Sequence, residues 1–140
     1  EMTREAIDSD GFYHTGDMVT IDQDGYVSIA GRIKDMIIRG GENLYPAEIE
    51  SAILTHPDVL EVQVFGIPCD YYGEEVVAFV RLHPGSTIRP VELKRYAREI
   101  MAIDKVPALF YVVESFPLTA SGKVQKFKLR EYALLKMKET

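Results

Sequence analysis

The chain has a single cysteine, Cys69, so no internal disulfide can form, which fits a reducing compartment. Long apolar runs are missing as well. The longest, such as Val76 to Val80, fall far short of the roughly 20 residues that a bilayer crossing needs. No basic start followed by an apolar stretch marks a signal peptide. Of the three histidines, His14, His56 and His83, none has a second histidine or a cysteine at metal-ligand spacing, so no protein-held metal is expected. No Ser-His-Asp or Cys-His grouping offers a nucleophile. Position 1 is Glu rather than Met, and residues 1–9 read as the middle of an amphipathic helix; we expect the chain to have been cut from a longer protein.

What is present suits one domain. The chain has 140 residues, 46% of them apolar, enough to fill a core, and it shows no repeat, low-complexity stretch or long linker. The net charge of −6 is uneven. Acids from Glu1 to Asp22 face only Arg4, whereas Lys123, Lys126, Lys128, Arg130, Lys136 and Lys138 crowd the other end. Attraction between the two ends is one reading of this pattern, and two solvated faces are the commoner one. The acidic balance, with only Phe127 and Tyr132 as stacking aromatics in the basic stretch, excludes nucleic acid as the expected partner.

Period and punctuation predict the elements. Val19 to Ile21, Asp22-Gln23-Asp24-Gly25 and Tyr26 to Ala30 read as a hairpin. Lys34 to Tyr45 reads as a short strand passing into a Gly-Gly loop. Pro46 suits a first helical residue, and Ile49, Ala52, Ile53 and His56 keep helical spacing until Pro57. Val62 and Val64 alternate with polar residues, Val76 to Leu82 is β-branched, and Asp70 to Gly73 supplies the turn between them. Pro90 opens a helix with Leu93, Tyr96, Ala97, Ile100 and Met101 on one stripe. Leu109 to Val113 gives a third strand, and residues 126–137 a final helix. The class expected is α+β: a small sheet with helices packed on it, preceded by a β-hairpin segment.

The chemistry concentrates at Pro117-Leu118-Thr119-Ala120-Ser121-Gly122-Lys123, which puts a lysine on a small polar turn with no carboxylate within five residues on either side. Gly-Lys invites a P-loop reading. The Walker pattern, however, needs glycine where Pro117 stands and Ser or Thr where Val124 stands, so that reading fails. A cation available to an anionic ligand survives. Local alternatives stay open elsewhere: Asp17 in Thr15-Gly16-Asp17 could cap local amides, Arg32 could be a surface ion-pair partner, Lys34 could be merely solvated, and Gly40-Gly41 could serve only to turn the chain.

Taken together, Gly11-Phe12-Tyr13-His14-Thr15-Gly16-Asp17, the stretch from Gly31-Arg32-Ile33-Lys34-Asp35 to Gly40-Gly41-Glu42-Asn43-Leu44-Tyr45-Pro46-Ala47-Glu48-Ile49-Glu50, and Thr119 to Lys126 closely resemble the carboxyl-terminal part of the acyl-adenylate-forming superfamily. The order is the family's, and nearly the whole chain is covered. The resemblance implies an ATP-dependent acyl-CoA synthetase, most similar to medium- or long-chain fatty-acyl-CoA ligases. Rivals are a carrier-protein-loading adenylation domain, an aryl-CoA ligase, or a noncatalytic nucleotide- or protein-binding module. It implies that residues 1–33 end a large amino-terminal domain, that 34–140 form a mobile small domain, and that Lys34 is the hinge. It further implies ATP ribose contact by Asp17, nucleotide contact by Arg32, adenylation chemistry at Lys123, and a pantetheine channel along Gly40, Gly41 and Glu42. ATP, Mg²⁺ brought with it, CoA, a fatty or other carboxylic acid, and the amino-terminal domain would be the partners. The setting would be cytoplasmic, membrane-peripheral or an organellar matrix. Without the large domain the chain is expected to be inactive.

Overall fold

A run of five apolar residues in the middle of the chain organises the fold. In the computed structural model, which describes residues 7–139, Gly73–Leu82 is the central strand β6. It pairs antiparallel with β5 (Val59–Cys69) and parallel with β7 (Leu109–Val112). Alternate β6 residues enter two cores. Val76, Ala78 and Val80 pack on one face with Val62 and Val64, while Val77 and Phe79 pack on the other with Phe65 and Ile67. A strand covered on both sides reads as continuous rather than alternating apolar sequence, which explains Val76-Val77-Ala78-Phe79-Val80. Phe79, completely buried, contributes about 3 kcal/mol by burial alone.

Helices cover both faces. Helix α1 (Pro46–Ile53) starts on Pro46 after an extended Tyr45 and buries Ile49 and Ile53, one turn apart. It ends at Ile53, short of the expected His56. Helix α2 (Pro90–Ile100) is entered through Arg89, whose backbone N–H donates to Glu92 at 2.8 Å, and it sends Leu93 and Ala97 into the same core. Because α2 carries the chain from β6 back to a parallel β7, these three elements form a crossover unit. Helix α3 (Lys126–Lys138) lays Leu129 and Ala133 on the opposite core with Phe116. The α+β architecture is borne out.

Two hairpins precede the sheet. Strands β1 (Asp17–Ile21) and β2 (Val27–Arg32) form the expected one. Asp22 accepts the backbone N–H groups of Asp24 and Tyr26, both at 2.9 Å, which sets the turn. The segment read as one strand and a loop is instead a 3-10 turn at Ile33–Asp35 followed by a second hairpin, β3 (Ile37–Arg39) with β4 (Glu42–Leu44). Ile37 and Leu44 anchor that hairpin in the core. The helix expected over residues 1–9 falls mainly outside the described residues; at Ile7 the chain is already extended and bridged to Tyr13. No helix among the described residues is long and apolar enough to cross a membrane.

Candidate functional site

One end of the first hairpin gathers three of the residues singled out from sequence. Gly16, at φ +78°, turns the chain so that its carbonyl accepts the Ile33 N–H at 2.8 Å. This closes the hairpin with Asp17 directly opposite Arg32. Arg32 Nε stands 3.5 Å from Asp17 Oδ1, with both side chains partly open to solvent. Beside them a groove of about 390 Å³ is lined by Thr15, Gly16, Arg32, Ile33 and Lys34. Among the described residues the Asp17 carboxylate takes no backbone amide; its own N–H goes to the Thr15 hydroxyl at 3.3 Å. An acceptor and a planar donor fork are thus presented side by side, a geometry suited to hydroxyl and phosphate oxygens. Lys34 is exposed in the 3-10 turn that links the two hairpins.

The Gly40-Gly41 segment is the two-residue turn between β3 and β4. Both residues have positive φ, +56° and +85°, as primed hairpin turns require. Glu42 and Asn43 follow, exposed. The turn is tied to the β5–β6 turn and the start of β6: Gly40 N–H donates to the Tyr72 carbonyl at 2.8 Å, and Ile38 N–H to Glu74 Oε2 at 2.7 Å. Arg39 Nε donates to Glu75 Oε1 at 2.8 Å. Arg39, Tyr72, Glu74 and Glu75 were not singled out from sequence. The Gly-Gly pair after an arginine and the Glu-Glu pair after the Asp70 to Gly73 turn were the available signals.

Lys123 ends a compact turn closed by a bridge between Leu118 and Val124. Thr119 N–H donates to the Lys123 carbonyl at 2.7 Å, and Gly122 N–H to the Thr119 carbonyl at 2.9 Å. The Thr119 hydroxyl accepts the Lys123 N–H at 3.1 Å and meets the Ser121 hydroxyl at 3.0 Å. Gly122, at φ +86°, lets the turn close. The Lys123 side chain is exposed, and no ion pair or hydrogen bond holds its ammonium among the described residues. Lys126, one turn on, is different: its Nζ lies 3.7 Å from Glu50 Oε1, an oxygen that also accepts the Val64 N–H at 2.9 Å. Burial pushes the Glu50 carboxyl above its ordinary value, against the opposing pull of that amide and of Lys126.

The sequence profile of the AMP-binding enzyme C-terminal domain matches residues 48–123, more than half of the chain. The chain belongs to the AMP-binding enzyme C-terminal domain family. Over 131 residues it is 51% identical to a protein named medium-chain acyl-CoA ligase ACSF2, mitochondrial, of Danio rerio, a match covering 94% of this chain and 22% of that one. The crystal structure of ATP-bound MatB from Rhodopseudomonas palustris superposes with a TM-score of 0.84 at 42% identity, covering 94% of this chain and 26% of that one. The o-succinylbenzoate CoA synthetase MenE from Bacillus subtilis, in complex with the acyl-adenylate intermediate OSB-AMP, gives a TM-score of 0.83 at 38% identity, covering 93% and 26%. The chain spans about a quarter of the length of the curated relatives that it matches.

In this member of the AMP-binding enzyme C-terminal domain family, Lys123 closes the matched segment, whereas Asp17, Arg32, Lys34 and the Gly40-Gly41 turn precede it. The structure brings Asp17, Arg32 and Lys34 together. Among the described residues, neither Lys123 nor the glycine turn shares a hydrogen bond, an ion pair or the groove lining with that trio. A surface cleft of about 630 Å³ around His56, Arg89 and Tyr96 contains none of these groups. No three His, Cys, Asp or Glu side chains among the described residues come close enough to hold a metal ion.

Proposed function

We propose that this chain is the mobile small lobe, with its preceding hairpin, of an ATP-dependent acid–thiol ligase that makes acyl-CoA from a carboxylic acid, ATP and CoA. In the first half-reaction a carboxylate oxygen attacks the α-phosphorus of ATP, the bond to the β-phosphate oxygen breaks, and pyrophosphate leaves. In the second, the CoA sulfur attacks the acyl carbon, the thiol gives up its proton, and AMP leaves. The single observation that carries this reading is the exposed ammonium of Lys123, unpartnered among the described residues, at the end of a hydrogen-bonded turn. Adenylation brings two anions together and builds charge on phosphate oxygens. A lysine reaching both offsets that repulsion where the charge develops.

Asp17 would accept the ribose hydroxyls, and Arg32 would donate to ribose or phosphate oxygens. Mg²⁺ would enter with ATP and neutralise phosphate charge. Residues 1–33 are assigned to the large lobe and 34–140 to the small one, with Lys34 as the hinge. The exposed apolar residues Ile21, Tyr26, Val27 and Ile29 on the first hairpin support a covering body on that side. The Gly40-Gly41-Glu42 turn would line the channel for the pantetheine arm of CoA, since a backbone without Cβ atoms admits a narrow ligand closely. The acid class proposed is medium- to long-chain fatty acid; the medium-chain part is in keeping with the name of a relative at 51% identity, a medium-chain acyl-CoA ligase. A cytoplasmic or organellar-matrix location suits such an enzyme.

The test is pyrophosphate release by the full-length protein across a panel of carboxylic acids, with and without CoA. Lys123→Ala should slow acyl-adenylate formation by about 10²–10³-fold, the effect of removing one donor from a developing oxyanion. Conversion of supplied acyl-adenylate to thioester should stay at the wild-type rate. Equal loss in both half-reactions overturns the assignment, as does an absence of acid-dependent pyrophosphate release from the wild type.

A further inference from the structure

The tip of the β5–β6 hairpin is clamped to the Gly40-Gly41 turn by more contacts than the stability of a surface turn requires. The Arg39 guanidinium lies over the face of the Tyr72 ring, 3.7 Å from its centroid. Its Nε and Nη2 donate to the two carboxylate oxygens of Glu75, at 2.8 and 3.5 Å. The ion pair is largely buried, with Arg39 and Glu75 side chains only 19% and 15% exposed. Glu75 Oε1 also accepts the Val76 N–H at 3.0 Å, which fixes the carboxylate on its own strand. Tyr72 completes the clamp from the other side. Its carbonyl accepts the Gly40 N–H at 2.8 Å, and its ring packs so near the turn that a Cβ on Gly40 would lie 3.3 Å from Cδ1.

Two physical points decide what this arrangement is for. A buried ion pair is a poor source of stability, because desolvation of both charges roughly cancels their attraction. What it does supply is fixed geometry, through a planar fork seated on a carboxylate and a ring. A Gly-Gly turn, conversely, has no side chains to hold its shape and loses more conformational freedom on ordering than any other pair. The rigid element therefore stands where the adjoining backbone is least able to position itself.

We infer that Arg39, Glu75 and Tyr72 are positioning residues for the thiol-transfer half-reaction, holding the Gly40-Gly41 backbone where it guides the phosphopantetheine arm of CoA. This inference rests on the reading of that turn as the channel wall. None of the three side chains is assigned a contact with the reacting atoms. Adenylation, which uses Lys123, Asp17 and Arg32, should not depend on them.

The experiment measures both half-reactions in the full-length protein. Adenylation is read by acid-dependent ATP–pyrophosphate exchange, and thiol transfer by single-turnover reaction of supplied acyl-adenylate with CoA. Arg39→Gln and Glu75→Gln should each lower kcat/KM for CoA by about tenfold or more, since a misplacement near 1 Å has effects of that order or larger. Exchange should stay within about twofold of wild type, because the groups serving it keep their geometry. Arg39→Lys keeps a cation over the ring without the planar fork, so it should recover part of the loss, and it keeps the test open if Arg39→Gln fails to fold. Equal decline of both half-reactions in Arg39→Lys and Glu75→Gln, or no decline in either, overturns the inference. Gly41→Val separates it from the reading beneath it. Slow thiol transfer in Gly41→Val but wild-type transfer in the clamp variants sinks the clamp alone, whereas wild-type transfer in Gly41→Val sinks the channel reading and the clamp with it.

Discussion

Replacing Gly66 by alanine probes how the sheet holds the second hairpin. A methyl group built on Gly66 would stand 2.8 Å from Glu74 Oε1, 3.2 Å from Glu74 Cδ and 3.1 Å from Ile37 Cγ2. Unbonded heavy atoms settle at about 3.5–4.0 Å, so a neighbour must move. Ile37 is 1% exposed and locked in the core. Glu74 must swing instead, which draws its other oxygen off the Ile38 N–H that it accepts at 2.7 Å. Losing a hydrogen bond to a charged group costs about 1.5–3 kcal/mol, and residual crowding adds about 1 kcal/mol. Gly66→Ala should therefore destabilise the chain by about 2.5–4 kcal/mol, a fall in Tm on the order of 10 °C. Urea unfolding of Gly66→Ala, Glu74→Ala and the double variant measures it. Without the Glu74 carboxylate only the 3.1 Å contact with Ile37 Cγ2 remains, so Gly66→Ala should cost about 1 kcal/mol in that background. Strictly additive costs would refute the steric argument, and an undisturbed Gly66→Ala would show that Glu74 has a second rotamer that keeps its bond.

Two further outcomes follow from the sites described. Glu50 has a folded-state pKa raised above the ordinary 4.5, chiefly by burial; its favourable contribution is complete below that value and is lost as pH rises through the raised one. Glu50→Gln should thus gain stability relative to wild type between pH 4 and pH 7, measured by urea midpoints across that range; a relative loss at pH 7 would mean that the Lys126 pair outweighs burial. Arg32→Lys should leave Tm unchanged, because the Asp17 pair is exposed and such pairs contribute about 0–1 kcal/mol. In pyrophosphate exchange by the full-length protein it should raise KM for ATP by about tenfold, the worth of one charge-assisted hydrogen bond; an unchanged KM would remove Arg32 from the nucleotide site.

Local chemistry made much of this fold legible. Asp22-Gln23-Asp24-Gly25 carries its own turn, since Asp22 ties down two amides and Gly25 takes φ +86°. Pro46 and Pro90 mark helix starts because the first turn has no use for their missing N–H. The β3–β4 hairpin was not legible as such. Its strands have three residues each, too short to display a period of two, and it is held in place by Glu74 and Glu75, 36 residues away from the groups that they bind. No spacing rule pairs positions so far apart.

The two lysines flanking this limit show what sequence can and cannot say about a site. Lys123 and Lys126 sit in the same acid-free stretch, and by composition either could be the cation offered to a ligand. The fold separates them. Helix α3 starts at Lys126 and leans that side chain toward Glu50 on α1, a partner set by tertiary packing alone. Lys123 is held back by the turn itself: the Thr119 hydroxyl and carbonyl are engaged by the Lys123 and Gly122 amides, so the nearest acceptors are already used by backbone. The ammonium then extends from a fixed base into solvent, with no competing anion among the described residues to release before another binds. A lysine already paired would have to break that pair before serving a phosphate, whereas Lys123 gives up only water. That difference in starting state, more than the charge the two residues share, is what recommends Lys123 for the chemistry.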